Sequence, residues 1–189
     1  GQVVKLAGWV HEVRDLGKVK FLLLRDRGGI AQITLKHGEV DLSLLSLVES
    51  LTRESVIAVE GVVRRSVKAG GKVEVVPSRI EVLNLAATPL PLDPKGQVPA
   101  ELSTRLDSRF VDLRRPEERA VFIVNHHLLQ VTREFFSARG FIEVVTPRIL
   151  ATATEGGASL FAIDYFGSKA FLAQSPQLYK EQLTGSLER

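Results

Sequence analysis

Val19-Lys20-Phe21-Leu22-Leu23-Leu24-Arg25-Asp26-Arg27-Gly28-Gly29-Ile30-Ala31-Gln32-Ile33-Thr34-Leu35 reads as two strands, 19–27 and 30–35, folded back on each other at the Gly28-Gly29 turn. Upstream of this hairpin, Val3 to Arg14 reads as a strand. Downstream, a short helix around Leu42–Glu49 is followed by two more strands, Ser55–Arg65 and Lys72–Leu83, with the turn-like Lys68-Ala69-Gly70-Gly71 between them. Three strands, a helix and two strands is the order of an OB-fold β-barrel, which commonly offers its second and third strands to single-stranded nucleic acid.

The second strand carries the candidates for that contact. Lys20, Phe21 and Arg25 would supply an aromatic face for stacking and cations for phosphates. Phe21 reads equally well as a core residue of a half-buried strand. Gln32 on the third strand either reads a base edge or sits on the wet face, and Glu74 on the fifth carries the same two readings.

At 189 residues the chain is long enough for two domains. A 44% hydrophobic and 25% charged composition is ordinary for a globular protein. No apolar run approaches the roughly 20 residues needed to cross a bilayer, and the N-terminus alternates apolar and polar residues where a signal peptide would be continuously apolar. Without cysteine there are no disulfides or thiolate metal sites. The four histidines show no metal-binding spacing. Residues 1–88 hold 13 Lys and Arg against 10 Asp and Glu, whereas the remainder holds 12 of each. The whole net charge of +3 therefore lies in the N-terminal half, which favours a nucleic-acid partner there. The chain has no methionine, so Gly1 is expected not to be the native start.

The barrel is expected to fill residues 1–86. The proline-dense Ala87-Thr88-Pro89-Leu90-Pro91-Leu92-Asp93-Pro94 then opens a hinge over 87–116 that includes the charged segment Leu106–Pro116. Residues 117–189 form a second domain. A long amphipathic helix over about Glu117–Arg139 carries Val121, Val124, Leu128, Val131 and Phe135 at helical spacing and stops at Gly140. His126 and His127 are adjacent on it and point about 100° apart, which suits structural roles better than a ligand pair. Phe141–Pro147 reads as a strand, Thr154-Glu155-Gly156-Gly157-Ala158 as a mobile loop, and Ala170–Ala173 as a short buried strand. In Gln174-Ser175-Pro176-Gln177-Leu178-Tyr179-Lys180, Ser175 reads as an N-cap and Pro176 as the first helical residue. Gln177 and Lys180 then share a helix face. A hydroxyl, an amide and an ammonium could grip a small carboxylate, or simply decorate a capped surface helix.

The barrel, the hinge with Arg109-Phe110-Val111-Asp112-Leu113-Arg114-Arg115-Pro116, and the helix followed by Gly140-Phe141-Ile142-Glu143-Val144-Val145-Thr146-Pro147 together resemble a class II aminoacyl-tRNA synthetase. With Thr154-Glu155-Gly156-Gly157 and Gln174–Lys180 added, the resemblance narrows to aspartyl-tRNA synthetases of the archaeal kind. It covers essentially the whole chain and departs from many relatives at Glu181, where they carry Gln. The fold it implies is α+β, an OB barrel followed by the start of an antiparallel-sheet catalytic domain.

That resemblance implies roles for the residues. Lys180 pairs with the side-chain carboxylate of bound L-aspartate, helped by Ser175 and Gln177, with Gln174 supporting the pocket. Glu155, otherwise readable as a solvated loop carboxylate, accepts from the aspartate ammonium. A cation suits the task because the neutral amide of asparagine cannot offset its desolvation. Phe21 stacks on an anticodon base while Gln32 and Glu74 read base edges. Pro147 lies at the interface of a homodimer.

The implied reaction joins aspartate to the α-phosphate of ATP, with Mg2+ and release of pyrophosphate, and then passes the aspartyl group to a tRNA ribose hydroxyl. The arginines of the family's second and third motifs are not found. The chain is therefore expected to be the N-terminal portion of a cytoplasmic enzyme, with no catalytic residue or metal of its own and no membrane contact. Relatives serving tRNA(Asp) alone carry Trp at the position of His11 and tend to carry Lys at Gly70, so this chain is expected to accept tRNA(Asn) as well. Two rivals remain, a stand-alone single-strand-binding barrel and a sister synthetase for asparagine or lysine.

Overall fold

The computed structural model describes residues 1–65, 73–152 and 160–189. The fold is α+β and divides into two compact units, Gly1–Pro91 and Leu92–Arg189. Gly70 and the Lys68–Gly71 turn, like Glu155 and the Thr154–Ala158 loop, lie outside the described residues.

The first unit contains β1 (Val3–Asp15), β2 (Val19–Arg25), β3 (Ile30–Lys36), α1 (Leu42–Ser50), β4 (Val56–Arg65) and β5 (Val73–Asn84). The five strands close a barrel in the order β1-β2-β3-β5-β4. Closure comes from β1 pairing antiparallel with both β2 and β4, and from a parallel contact of Ile33 with Val75. The β2–β3 turn is held by Asp26, whose carboxylate accepts from the backbone N–H groups of Gly28 and Gly29 at 2.7 and 3.0 Å.

Period-two alternation puts Leu22 and Leu24 of β2 and Ile33 and Leu35 of β3 inside, with Val10, Ile57, Val59, Val75 and Ile80. Each such aliphatic side chain contributes about 1.5–3 kcal/mol on burial. Helix α1 is capped by Asp41, whose side chain accepts from Ser43 N–H at 2.8 Å, and it packs Leu45 and Val48 into the same core.

The alternation also corrects the reading of Lys20. It shares the inward side of β2 with Leu22 and Leu24, is 5% exposed, and bonds Asp15 and the Glu49 carboxylate of α1. Adjacent strand residues point to opposite faces, so Lys20 cannot join Phe21 in a phosphate-binding face. It ties α1 to the β1–β2 turn instead. The two carboxylates hold its ammonium pKa above the ordinary lysine value, Asp15 more than Glu49.

The second unit contains α2 (Leu102–Asp107), α3 (Arg109–Asp112), α4 (Pro116–Ser137), β6 (Ile149–Leu150), β7 (Ala162–Tyr165), β8 (Ser168–Leu172) and α5 (Gln177–Leu187). The segment read as a charged hinge thus carries two short helices. They form around Asp112, which is fully buried and bonded by Arg105, Arg109 and Arg115 at 3.1, 2.7 and 3.3 Å. Pro116 occupies the first turn of α4, and the helix is stopped by Gly140 in the left-handed region at φ 77°.

Two further expectations are corrected. Phe141–Pro147 carries no regular secondary structure and belongs to no ladder, because a strand needs a partner and none of the described strands pairs with it. The buried strand read at Ala170–Ala173 is β8, the centre of a three-stranded sheet ordered β6-β8-β7, and of it only Ala170 is buried. Its hairpin partner β7 is joined through Phe166-Gly167, both at positive φ (51° and 78°), which is the two-residue turn geometry that suits strand twist.

Candidate functional site

Three groups of residues answer to the chemistry read from the sequence, two on the barrel and one in the second unit. On the barrel, cross-strand pairs set the outward face of β1, β2 and β3. Arg14 lies opposite Phe21, and Phe21 opposite Thr34; Glu12 lies opposite Leu23, and Leu23 opposite Gln32; Trp9 lies opposite Arg25. Directly opposed residues share a face, so Phe21 and Gln32 are diagonal neighbours on the same side of the barrel. Phe21 is half-buried on this outer face and is not part of the core cluster.

Glu74 of β5 extends the row. Its Oε2 accepts from Thr34 Oγ1 at 2.8 Å and from Gln32 Nε2 at 3.3 Å, while its Oε1 accepts from Arg64 Nε at 3.0 Å. Arg64 also bonds Glu39 at 3.0 Å through Nη1. The Glu74 and Glu39 carboxylates hold the Arg64 guanidinium pKa above its ordinary value. Lys36 and Arg64 hold the Glu39 carboxyl below its own. The structure therefore brings Phe21, Gln32 and Glu74 onto one surface, and it adds Thr34 and Arg64, which sequence reasoning did not single out.

A second cluster sits on the same sheet around His11. A register shift between Val10 and Glu12 makes His11 the extra residue of a bulge. Its Nδ1 lies 3.0 Å from Arg25 Nη1. A guanidinium only donates, so Nδ1 accepts, and the proton of the neutral ring belongs on Nε2. Arg25 in turn bonds the buried Glu54 at 2.7 Å and lies 5.8 Å from the centroid of the Trp9 ring. Arg25 is thus a fixed support for His11 and Trp9 rather than the phosphate contact expected from the sequence. Much of the positive charge of this half is likewise paired, as Lys5 with Glu60 and Arg14 with Glu12.

In the second unit, α5 begins at Gln177, one residue later than the caps suggested, with Pro176 at the N-cap position. Ser175 still serves the helix end, its Oγ accepting from Gln177 N–H at 3.3 Å. Gln177 donates from Nε2 to Glu181 at 3.2 Å, which gives Glu181 a helix-surface role. Lys180, one turn on, is exposed and lines a cavity of about 610 Å³ with Thr146, Arg148, Pro176 and Thr184. No ion pair of Lys180 is formed among the described residues. Gln174 is exposed just before the helix.

Pro147 is exposed at the end of the Phe141–Pro147 segment. The apolar stripe of α4 is also open, with Val121, Val124, Leu128 and Val131 all more than 60% exposed. His126 and His127 meet edge to face at 5.3 Å on the same exposed helix. Among the described residues no group of three or more His, Asp or Glu side chains could hold a metal ion, and no helix is long and apolar enough to cross a membrane.

Residues 4–83 match the family described as OB-fold nucleic acid binding domain, and residues 101–189 match tRNA synthetases class II (D, K and N). An "Aspartate--tRNA(Asp/Asn) ligase" of Archaeoglobus fulgidus is 60% identical over 97% of this chain and 43% of its own length. An "Aspartate--tRNA(Asp) ligase" of Thermococcus kodakarensis is 56% identical over 98% of this chain and 42% of its own. Among solved structures, asparaginyl-tRNA synthetase from Pyrococcus horikoshii complexed with asparaginyl-adenylate superposes with a TM-score of 0.88 at 35% identity, covering 99% of this chain and 43% of the other. The chain thus spans under half the length of the relatives it matches.

Proposed function

This chain belongs to the class II tRNA synthetases of the D, K and N group, and from that premise we propose that it serves an aspartate–tRNA ligase that charges both tRNA(Asp) and tRNA(Asn). The observation that carries the reading is the Gln174–Lys180 segment, whose Lys180 lines a cavity of about 610 Å³ and has no ion pair among the described residues. Support comes from the names of the relatives, several of which are Asp/Asn ligases.

In this reading the barrel reads the anticodon. Phe21 stacks on a base while Gln32 and Glu74 take hydrogen bonds at base edges, the usual physics for splayed single-stranded RNA. Residues 87–116 join the anticodon domain to the catalytic one. Lys180 holds the aspartate side chain, assisted by Ser175, Gln177 and Gln174, and Glu155 meets the substrate ammonium. ATP is the second substrate. None of these residues moves a proton or bonds covalently to substrate; they position it, and positioning is where most of the acceleration in such a transfer arises. The Mg2+ that the family implies has no seat among the described residues. The cytoplasm is the expected compartment.

Relaxed tRNA choice rests on His11 and Gly70. A smaller imidazole, fixed by Arg25, replaces the indole of stricter relatives, and glycine offers no side-chain donor. The test is aminoacylation of tRNA(Asp) and tRNA(Asn) transcripts by the intact enzyme. Both should be charged with kcat/KM values within about 100-fold, a ratio near what one good base contact of roughly 3 kcal/mol could impose. A larger preference for tRNA(Asp) would assign the chain to a discriminating enzyme.

The exposed stripe of α4 and the exposed Pro147 support a two-fold homodimer with Pro147 at its interface. Sedimentation of the intact enzyme at micromolar concentration is expected to give the dimer mass; a monomer alone would refute the assignment.

A further inference from the structure

The geometry points to Thr34 and Arg64 as positioning residues that lock Gln32 in one amide orientation, so that it offers the anticodon its Oε1 and its second amide hydrogen in one fixed arrangement. This inference rests on the proposed anticodon-reading role of the barrel face.

The argument begins with what Glu74 can do. An ionised carboxylate accepts and never donates. The Gln32 amide therefore turns its Nε2 toward Glu74 Oε2, at 3.3 Å. The same Nε2 lies 3.3 Å from Thr34 Oγ1, whose own proton goes to Glu74 Oε2 at 2.8 Å. Thr34 Oγ1 and Glu74 Oε2 lie only 2.8 Å apart, so they share one amide hydrogen in a three-centre bond and fix the nitrogen on the Glu74 side. A base then meets the Gln32 carbonyl oxygen and the second amide hydrogen in one fixed arrangement.

The lock depends on keeping Glu74 in place and charged while it is 7% exposed. Arg64 does this from β4, its Nε bonding Glu74 Oε1 at 3.0 Å and its Nη1 anchored on Glu39 at 3.0 Å. Thr34 does it from β3, in the row between Phe21 and Glu74. Neither is needed to touch RNA. Their effect is to convert an amide that could present its oxygen and nitrogen in either order into one that presents them in a single order, removing an ambiguity that a free glutamine would carry into every base choice.

The experiment compares Thr34→Val, Thr34→Ser and Arg64→Gln in the intact enzyme. Charging is measured on tRNA(Asp) transcripts with each anticodon base replaced in turn, with KM and kcat separated. Thr34→Val and Arg64→Gln should raise KM for the cognate transcript about 10-fold with little change in kcat. They should also cut discrimination against at least one substituted base about 10-fold, whereas Thr34→Ser should keep both. Thermal unfolding of each variant identifies any that fails to fold, and the two substitutions sit on different strands, so either alone decides the matter.

Unchanged base discrimination in a folded Thr34→Val or Arg64→Gln enzyme would overturn the inference, as would equal losses for all transcripts with no change in their ratio. If the unsubstituted enzyme itself fails to distinguish anticodon variants, or Phe21→Ala leaves KM for tRNA unaltered, the anticodon-reading role falls first. That result is distinguishable from failure of the lock alone.

Discussion

Replacing Lys180 by methionine in the intact enzyme is expected to lower kcat/KM for aspartate by about 100-fold or more. The side chain keeps an unbranched apolar stem one atom shorter and loses its charge. Hydrogen bonds to charged groups contribute about 1.5–3 kcal/mol each, and every 1.36 kcal/mol is tenfold in rate. A substrate carboxylate drawn into the pocket without its counter-charge loses more than the bond, because its desolvation is no longer offset. Lys180 is the group in position to do this. It lies on the first turn of α5, lines the cavity of about 610 Å³, and has no ion pair among the described residues. Gln177, by contrast, is tied to Glu181, and Ser175 to the helix end, so their substitutions should cost less. Steady-state kinetics at saturating ATP and tRNA measure the effect. An aspartate kcat/KM within about threefold of the unsubstituted enzyme would remove Lys180 from the pocket.

The same comparison separates aspartate from its amide. Asparagine should gain relative to aspartate in Lys180→Met, since the charge proposed to reject it has gone. The resemblance in fold to an asparaginyl-tRNA synthetase, with a TM-score of 0.88, makes this a natural control. Two proteins of one architecture can differ in substrate through a few groups that line the pocket.

How far the sequence revealed this arrangement depends on the range of the contacts involved. The barrel was legible because each strand carries its own alternation and the Gly28-Gly29 turn fixes one pairing locally. The face shared by Phe21, Gln32 and Glu74 was anticipated only through resemblance. Spacing places Phe21 and Gln32 on neighbouring strands, but Glu74 joins them through the contact between β3 and β5, some 40 residues apart. Arg64 and Thr34 escaped notice for the same reason. Lys20 is different, since its error was avoidable. The pattern of Leu22 and Leu24 already assigned its side of the strand, and hydrophobic stems with a paired head are tolerated inside.

In the second unit the helix α4 was legible from its period, but Phe141–Pro147 was not. A strand-like composition specifies an extended chain, and pairing depends on what lies beside it. The β7–β8 hairpin was hidden because Phe166 adopts a left-handed φ, which a sequence reading assigns to Gly, Asn or Asp. Asp112 was hidden too. Its neighbours Arg105, Arg109 and Arg115 look like an exposed basic run until α2 and α3 fold them around one carboxylate.

That carboxylate carries the last prediction. Asp112→Asn should destabilise the second unit by about 3 kcal/mol, the lower end of the cost of stripping one partner from a buried ion cluster. The lower end applies because the arginine side chains keep some water, at 23%, 36% and 19% exposure for Arg105, Arg109 and Arg115. Glu118 also remains to Arg105 as a second acid. Burial by itself raises the Asp112 pKa, but the guanidiniums of Arg105, Arg109 and Arg115 outweigh it, and the carboxyl is held below its ordinary value. For a group depressed in the folded state, the stabilisation is complete above the unfolded-state pKa near 3.9 and is lost as pH falls through the folded value. The gap between unsubstituted and Asp112→Asn protein, measured by urea unfolding, should therefore be constant from about pH 7 to pH 5 and narrow below about pH 4. A gap under about 1 kcal/mol at pH 7, or one that widens on acidification, would mean that the arginines are held by something other than Asp112.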